Sequence, residues 1–411
     1  MARRVAEAVA RAGGRTFFVG GYVRDRLMGL ENKDIDIEVH GVSVRALEDI
    51  LDGLGTRTTM GASFGVMGLS HYDLDIAMPR SEKATGRGHK DFEVFVDPFI
   101  GPEKAAMRRD FTMNALMEDV LTGEVLDFFG GRADLAAGVL RHVNDRSFVE
   151  DPLRVFRAAQ FAARFGFEVA GETIALSSTM AADALAPERV MGELEKALLK
   201  AERPSVFFDQ LRRMNQLCLW FAELEGLDVP AWKRTMSALD AASPLRGEAK
   251  APLSFMLAAL CADLSGEDAR RLLARLTNAV EVTRYALNMN ERLRALDDCL
   301  QGNACEYDWM ALYDGCVAPG ELILLARSSR GGSEAHWPDT ERELRQFLAL
   351  YTDRMSQPFL MGRDLLEAGV KPGPGMGEAL AHAHRLRLEG ASKAAQLKGA
   401  LACLSERNAQ R

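Results

Sequence analysis

The stretch D-I-D-I-E-V-H at residues 34–40 alternates polar and aliphatic residues. Side chains two residues apart on a β-strand point to the same face, so the stretch predicts a strand with Asp34, Asp36 and Glu38 on one face. Three carboxylates on one face repel each other unless their charge is compensated. Two interpretations stay open from these residues alone. The face is solvated at a sheet edge, or it binds Mg²⁺, which takes carboxylate oxygens and keeps positions for water and phosphate.

A glycine pair, Gly20-Gly21, ends another predicted strand shortly before this stretch. Without Cβ atoms the backbone can approach a ligand closely, and the start of a following helix favours phosphate. The pair does not fit the G-x-G-x-x-G pattern, which argues against a dinucleotide site of the Rossmann type. A phosphate-binding turn beside paired carboxylates suits nucleotidyl transfer, in which two metal ions activate the attacking hydroxyl and hold the triphosphate.

The spacing of apolar residues changes after about the first third of the sequence. Up to about residue 140, short β-rich runs alternate with helical segments, whereas from about residue 150 apolar residues recur almost wholly at helical spacing. Stretches 151–167, 187–201 and 204–221 each predict helix. The pattern therefore predicts a small α/β head followed by a long helical body.

Composition narrows the classes of partner. The formal net charge of −8 argues against a surface that coats nucleic acid broadly, so any RNA contact should be local, and no DNA partner is expected. No apolar run reaches the roughly 18 residues that a membrane span needs, and no signal peptide is recognisable, so we expect a cytoplasmic protein without a membrane partner. The six cysteines form no C-x-x-C pair, which argues against zinc and a disulfide framework.

Several motifs, in order along the chain, resemble those of the class II tRNA nucleotidyltransferases, the CCA-adding enzymes, and of the bacterial poly(A) polymerases. The segment G-G-Y-V-R-D-R-L-M-G-L-E-N-K-D-I-D-I at 20–37 resembles their first motif. This resemblance implies that Asp34 and Asp36 bind metal. It also implies nucleotide contacts by three residues of the same segment, namely Gly20, Gly21 and Arg24.

Two further segments of the head extend the resemblance. L-D-I-A-M-P-R at 74–80 is similar to the family's second acidic strand, which implies that Asp75 is the third catalytic carboxylate and Arg80 its accompanying base. R-R-D-F-T-M-N at 108–114 resembles the motif between head and neck. There the resemblance implies nucleotide or sugar contact by Arg109, Asp110 and Asn114. The residues themselves leave an alternative open, in which the last two organise a turn and a helix start.

The segment E-D-P-L-R at 150–154 resembles the E-D-x-x-R motif that reads the incoming base, with Arg157 one helical step further on. Cytosine and adenine place an amino donor beside a ring-nitrogen acceptor. An accepting Asp151 and a donating Arg154 would therefore select CTP and ATP over UTP and GTP. The alternative is structural, with Asp151 as N-cap and Pro152 as the first helical residue. P-E-R-V-M-G-E-L at 187–194 resembles the next motif, whose charged residues brace the neck.

The resemblance implies an α+β protein with a polymerase-β-like nucleotidyltransferase head at 1–140 and an all-α remainder. We expect a neck that recognises the base at 141–215, a body at 216–350 and a tRNA-binding tail at 351–411. Some relatives carry a phosphohydrolase domain marked by paired His-Asp, but this chain has Ala262 before Asp263 at the comparable place. That second activity should be absent.

The implied function is addition of C, C and A to the 3′ end of tRNA from CTP and ATP, with Mg²⁺ and without a template. The segment 79–95 resembles a mobile loop of enzymes that add the final A. Alternatives within the superfamily are a CC-only or A-only enzyme and a poly(A) polymerase. From another class, a non-catalytic RNA-binding protein would have no physical reason to retain the mutually repelling Asp34, Asp36 and Asp75.

Overall fold

The computed structural model describes residues 1–32, 34–60, 66–84, 92–302, 304–330 and 337–409. The chain forms two compact units. The first, called the head unit below, comprises Met1–Ala197 and Val206–Trp220, and the second, the body unit, comprises Leu198–Ser205 and Phe221–Arg411. The four-part division expected from the sequence stays a prediction.

A mixed seven-stranded sheet in the order β3-β4-β5-β2-β1-β8-β9 dominates the head unit. β2 pairs in parallel with β5 and antiparallel with β1. β6 and β7 form a separate antiparallel pair, and β10 and β11 a short parallel one. The strands are β1 (Arg15–Val19), β2 (Ile35–His40), β3 (Arg57–Met60), β4 (Val66–Leu69), β5 (Leu74–Ala77), β6 (Arg80–Ala84), β7 (Phe92–Val96), β8 (Met117–Asp119), β9 (Val125–Leu126), β10 (Val139–Leu140) and β11 (Glu168–Val169).

Helices make up most of the remaining described residues. Two 3-10 helices lie at Thr112–Asn114 and Ser243–Glu248. The α-helices are α1 (Ala2–Arg11), α2 (Gly21–Leu27), α3 (Val44–Asp52), α4 (Pro102–Ala106), α5 (Gly131–Ala137), α6 (Asp145–Val149), α7 (Leu153–Phe165), α8 (Gly171–Ser177), α9 (Pro187–Lys200), α10 (Ser205–Arg213), α11 (Leu217–Glu225), α12 (Val229–Ala242), α13 (Pro252–Leu260), α14 (Gly266–Leu276), α15 (Val280–Gln301), α16 (Glu306–Tyr313), α17 (Pro319–Arg330), α18 (Trp337–Ser356), α19 (Gly362–Glu367), α20 (Gly375–Leu388) and α21 (Lys393–Ala409).

The alternation in β2 determines which face of the sheet is core. Ile37 and Val39 are fully buried in a cluster with Val5 and Val9 of α1 and with Leu47 of α3. Burying aliphatic side chains in this way contributes about 1.5–3 kcal/mol each. The acidic face of β2 is therefore held on the opposite side of the sheet, as the sequence predicts.

The body unit is helical, and its core includes α13, where seven consecutive residues from Ser254 to Leu260 are buried. A bidentate ion pair joins Arg275 of α14 to Glu223 of α11, with N–O distances of 2.7 and 2.8 Å. Near the C-terminus a smaller apolar cluster includes Leu365 of α19 and Ala379 of α20. An α+β head followed by a helical region confirms the predicted fold class.

Two details depart from the sequence-based prediction. The stretch 204–221 is two helices, because α10 ends at Arg213 and Asn215 takes a left-handed conformation with φ +55° before α11 begins. Asparagine tolerates this conformation better than most residues. The β-rich runs that the sequence shows do not include β3, β6, β8, β10 or β11. Within the described residues, none of the helices has the length and apolar character needed to cross a membrane.

Candidate active site

The predicted catalytic carboxylates lie at the centre of the sheet. Asp36 of β2 and Asp75 of β5 are direct partners in the register of two parallel strands, so their side chains leave the same face side by side. Asp34 comes just before β2 and is exposed, and its backbone N–H donates to Asn32 Oδ1 at 2.9 Å. The structure thus brings together two acids that are 39 positions apart in the sequence.

The pKa of Asp36 reflects its closeness to the other carboxylates. Burial raises the pKa of Asp36 above its ordinary value, and the charge of Asp75 raises it further. Arg109 opposes the rise and Asp34 adds to it. A cation placed among these groups would relieve the repulsion, which is the property expected of a metal site.

These acids fit Mg²⁺ as a partly built site. Among the residues that the structure describes, no group of three or more His, Cys, Asp or Glu side chains is close enough to form a complete metal cage. Mg²⁺ is usually bound by one or two carboxylates together with waters and substrate phosphates. Asp36 and Asp75, with Asp34 beside them, therefore suit an ion that a triphosphate helps to hold.

The Gly20-Gly21 turn faces the same place. Gly20 has φ +66° and ψ −132°, a conformation that favours glycine, and α2 begins at the next residue. A Cβ on Gly20 would lie 3.1 Å from Arg109 Nη1 and 4.0 Å from Asp36 Oδ2. The turn, the guanidinium and the carboxylate therefore converge on one small volume.

Glu38 determines where Arg109 points. Arg109 Nη2 donates to Glu38 Oε2 at 3.3 Å, and Glu38 Oε1 lies 2.8 Å from His40 Nε2. Burial disfavours the charged form of Glu38, but the hydrogen bonds and charges of His40 and Arg109 outweigh burial and lower its pKa. The sequence placed Glu38 on the acidic face of β2, and in the structure its partners there are Arg109 and His40.

Four other predicted nucleotide contacts are bonded to one another. Arg24 Nη1 donates to Asn114 Oδ1 at 2.7 Å, and Asn114 Nδ2 donates to Asp110 Oδ1 at 3.0 Å. Arg157 Nε donates to Asp110 Oδ2 at 2.7 Å. Burial opposes ionisation of Asp110, but the charges and hydrogen bonds of Arg157 and Asn114 outweigh it and lower the pKa. Direct nucleotide contact by these residues stays a prediction, and the organising alternative for Asp110 and Asn114 agrees with the bonds.

The expected N-cap lies one residue from where the sequence put it. α7 begins at Leu153, so Pro152 occupies the N-cap and is not the first helical residue. Asp151 still contributes, because its Oδ1 accepts from the backbone N–H of Leu153 at 3.1 Å. Its Oδ2 accepts from Arg189 Nη2 at 2.8 Å, a contact that joins the base-reading motif to α9.

Arg154 is bonded to backbone carbonyls. Its Nη2 donates to Arg108 O at 2.8 Å, and its Nη1 donates to Ser147 O. Burial lowers the pKa of Arg154, and the charge of Asp110 opposes this. Base reading by Arg154 therefore stays a prediction that requires a donor beyond those two bonds.

The remaining predicted residue, Arg80, and the predicted loop lie in the region of β6 and β7. Arg80 is the first residue of β6, and its carbonyl accepts from Arg108 Nη1 at 2.7 Å. The segment expected to be a mobile loop includes residues 85–91, which lie outside the described residues.

Sequence reasoning missed two kinds of partner in this site, an amide side chain and a pair of aromatic rings. Asn32 holds both the backbone of Asp34 and, through Nδ2 at 2.8 Å, the side chain of Asp25. The rings of Phe161 and Phe165 of α7 both lie against the guanidinium of Arg24. The spacing of the two rings, four residues apart on one helix face, was the one local indication of a shared partner.

Adjacent carboxylates on a mixed sheet, a glycine turn beside them and a helical continuation are the features that the sequence resemblance predicts for a nucleotidyltransferase head. Residues 16–141 match the Poly A polymerase head domain. The family that this match shows is that of the head domain, over residues 16–141.

Curated relatives agree with this family. A "Multifunctional CCA protein" of Haemophilus ducreyi is 37% identical over 61% of this chain and 64% of the relative. Proteins of the same name from Nitrosococcus oceani and Ralstonia nicotianae are 42% and 39% identical, over 54% and 60% of this chain and 54% and 60% of the relatives. The chain thus spans between about half and two thirds of the length of these relatives.

Solved structures extend the likeness of fold to nearly the whole chain. The Thermotoga maritima CCA-adding enzyme complexed with tRNA superposes with a TM-score of 0.69 at 22% identity, covering 98% of this chain and 94% of that one. A CCA-adding enzyme in complex with ATP gives a TM-score of 0.74 at 23% identity, covering 98% of this chain and 93% of that one. At this identity the likeness concerns the fold.

Proposed function

We propose that this protein adds C, C and A to the 3′ end of tRNA from CTP and ATP, without a nucleic-acid template and with Mg²⁺. The observation that carries the proposal is the pairing of Asp36 with Asp75 beside the Gly20 turn and Arg109. The names of the curated relatives, and solved relatives in complex with tRNA, CTP and ATP, support the choice of substrates. The expected place of action is the cytoplasm.

Separate residues are proposed to bind the metal ion and the triphosphate. Asp36 and Asp75, with Asp34, would hold Mg²⁺, which when bound activates the 3′ hydroxyl and stabilises charge on the transferred phosphate. Arg109, oriented by Glu38, supplies fixed donors beside the turn, where an anionic triphosphate needs them. Gly20 leaves room for the phosphates because a side chain there would meet Arg109.

Base choice falls to the start of α7. Asp151 is oriented by Arg189 and by the backbone of Leu153, and each carboxylate oxygen retains a second lone pair. That free acceptor suits the exocyclic amino group of cytosine or adenine. Arg154 has five N–H donors, so it can offer one to a ring nitrogen beyond its two bonds to carbonyls.

The reaction is tested on tRNAs that end before the first C, after one C and after two, each incubated with CTP, ATP, UTP or GTP. Full CCA addition predicts C on the first two substrates and A on the third. Incorporation limited to C or to A would assign a CC-only or A-only enzyme, and long A tracts a poly(A) polymerase. Asp34→Ala and Asp36→Ala should abolish both additions because both use one metal site, and full activity in either would contradict the mechanism.

Base reading is tested separately through incorporation ratios. Arg154→Ala should lower the CTP:UTP and ATP:GTP ratios, because losing one hydrogen bond to a charged donor costs about 1.5–3 kcal/mol. Asp151→Ser keeps a side chain that can accept from Leu153 N–H, so it preserves the local helix start while removing the charge. Unchanged ratios in both variants would rule out base reading by this helix.

A further inference from the structure

Arg24 is buried between the metal-binding part of the proposed site and the base-reading helix α7. It is on α2, three residues after Gly21, and its side chain is 5% exposed. Its Nε donates to Asp25 Oδ1 at 2.7 Å, and its Nη1 donates to Asn114 Oδ1 at 2.7 Å. The guanidinium carbon lies 5.2 Å from the ring centre of Phe161 and 4.8 Å from that of Phe165, both on α7. We call Arg24, Asp25, Asn114, Phe161 and Phe165 the Arg24 bridge.

The bridge continues on the side of the metal site. Asp25 Oδ2 accepts from Asn32 Nδ2 at 2.8 Å, and Asn32 Oδ1 accepts from the backbone N–H of Asp34 at 2.9 Å. The same carboxylate oxygen lies 4.0 Å from Arg164 Nη2 of α7. The backbone of a proposed metal ligand is therefore two side chains away from Arg24.

On the other side the bridge reaches the base-reading helix. Asn114 donates to Asp110, and Asp110 accepts from Arg157, which is three residues after Arg154 on α7. Each link is a hydrogen bond of 3.0 Å or less, and Asn114 and Asp110 are buried whereas Arg157 is part-buried. Buried networks of this kind are costly to leave partly satisfied, so they hold their elements in one arrangement.

We infer that Arg24 is a positioning residue that fixes the base-reading helix α7 relative to the Gly20-Gly21 turn and the metal-side backbone, and so contributes to nucleotide choice without touching the nucleotide. The inference rests on the proposed function. Its physical reason is that a buried guanidinium needs its donors satisfied and its faces covered. Asp25 of α2 and Asn114 of the 3-10 helix accept from it, and two rings of α7 pack against it. A shift of α7 would uncover the charge.

The test compares Arg24→Lys and Phe165→Leu with the parent. Lysine keeps the charge but lacks the planar fork that reaches two acceptors and packs against two rings. Phe165→Leu leaves every hydrogen bond of Arg24 and removes the nearer ring. Arg15→Lys is the matched control, because Arg15 pairs with Asp119 at 2.9 Å and lies 4.8 Å from the Phe17 ring, yet all its partners are in or beside the sheet.

Three readouts are taken on each protein: CTP:UTP and ATP:GTP incorporation ratios, kcat and KM for CTP, and a thermal melt. Arg24→Lys should lower both ratios about tenfold, the factor that corresponds to one lost hydrogen bond of a charged group. Phe165→Leu should shift the ratios in the same direction by less. Arg15→Lys should lower the melting temperature and leave the ratios at the parent value.

A purely structural role predicts a different outcome. If Arg24→Lys and Phe165→Leu lower kcat for all four nucleotides equally and leave the ratios unchanged, the inference is wrong. It is equally wrong if Arg15→Lys changes the ratios as much. Should Arg24→Lys fail to fold, Phe165→Leu alone decides.

Failure of the proposed function gives a separate result. If the parent incorporates neither CTP nor ATP into tRNA, the proposed function fails, whatever the variants do. The inference is then decided by the equilibrium affinities of CTP and UTP for parent and variants, with the same ratio expected to fall in Arg24→Lys.

Discussion

Replacing Asp36 with asparagine should make the metal-free protein more stable at neutral pH. Asparagine has nearly the same shape but no charge, so the substitution removes the repulsion from Asp75 and Asp34 without opening a cavity. The pKa of Asp36 is raised in the folded state, first by burial and then by Asp75. A raised pKa means that folding is favoured below the unfolded value near 3.8 and that this contribution is lost as pH rises through the folded pKa.

The magnitude follows from the register of the strands. Asp36 and Asp75 are partners on adjacent strands about 5 Å apart, where two unit charges repel by about 1–3 kcal/mol at surface-like dielectric values. Arg109 offsets part of this, so a net gain of about 1 kcal/mol is expected for Asp36→Asn at pH 7. For a unit of this size the gain corresponds to about 2–4 °C in melting temperature.

The assay is a thermal melt at several pH values between 4 and 8, at low salt with a chelator present. The difference between Asp36→Asn and the parent should be largest at pH 7–8 and should shrink towards pH 4, where the carboxyl group takes up its proton. Asp73→Asn, an exposed neighbour in the loop before β5, is the control and should show no such difference. Adding Mg²⁺ and CTP should stabilise the parent and leave the variant unaffected. A variant that melts lower than the parent at every pH would refute the crowding argument.

Other predictions concern packing, Arg109 and the segment of residues 81–90. Gly131→Ala should destabilise the head unit by about 1–3 kcal/mol in a urea titration, because its Cβ would lie 2.2 Å from a backbone oxygen. Gly192→Ala, whose Cβ would have nothing within 4 Å, should instead stabilise the protein by about 0.5–1 kcal/mol. Glu38→Gln should raise KM for both CTP and ATP about tenfold by releasing Arg109, with base ratios unchanged; a changed ratio would contradict this role. Replacing residues 81–90 by glycines should impair A addition more than C addition on matched tRNAs, and equal loss of both would indicate a general structural role.

The sheet shows why some strands can be predicted from the sequence and others cannot. The alternation in β2 is local, because each aliphatic side chain meets the core and each acid does not. β8 contains the buried acids Glu118 and Asp119, whose partners are Arg26 and Arg15. Those pairs are separated by 92 and 104 positions, so no window of sequence around β8 shows why acids can be buried there.

The site shows the same limit. Its residues stand in motifs and could be named from the sequence, but the motifs do not say which member touches a ligand and which touches another member. Arg24 and Asn114, expected at the nucleotide, meet each other across 90 positions. Glu38 accepts a hydrogen bond from Arg109, which is 71 positions away in the sequence. These pairings depend on how β2, α2 and the 3-10 helix pack together, and local periodicity carries no information about that.

The path of the chain between the two units restricts how the protein can be divided or recombined. Leu198–Ser205 belongs to the body unit, yet Val206–Trp220 returns to the head unit. In the returning segment Phe207 is fully buried, and its ring centre lies 6.4 Å from that of Phe156 on α7. A fragment cut at Ala197 would therefore lose part of the layer that supports the base-reading helix. Exchange of helical bodies between relatives, by recombination or by design, keeps the head unit whole where the junction follows Trp220.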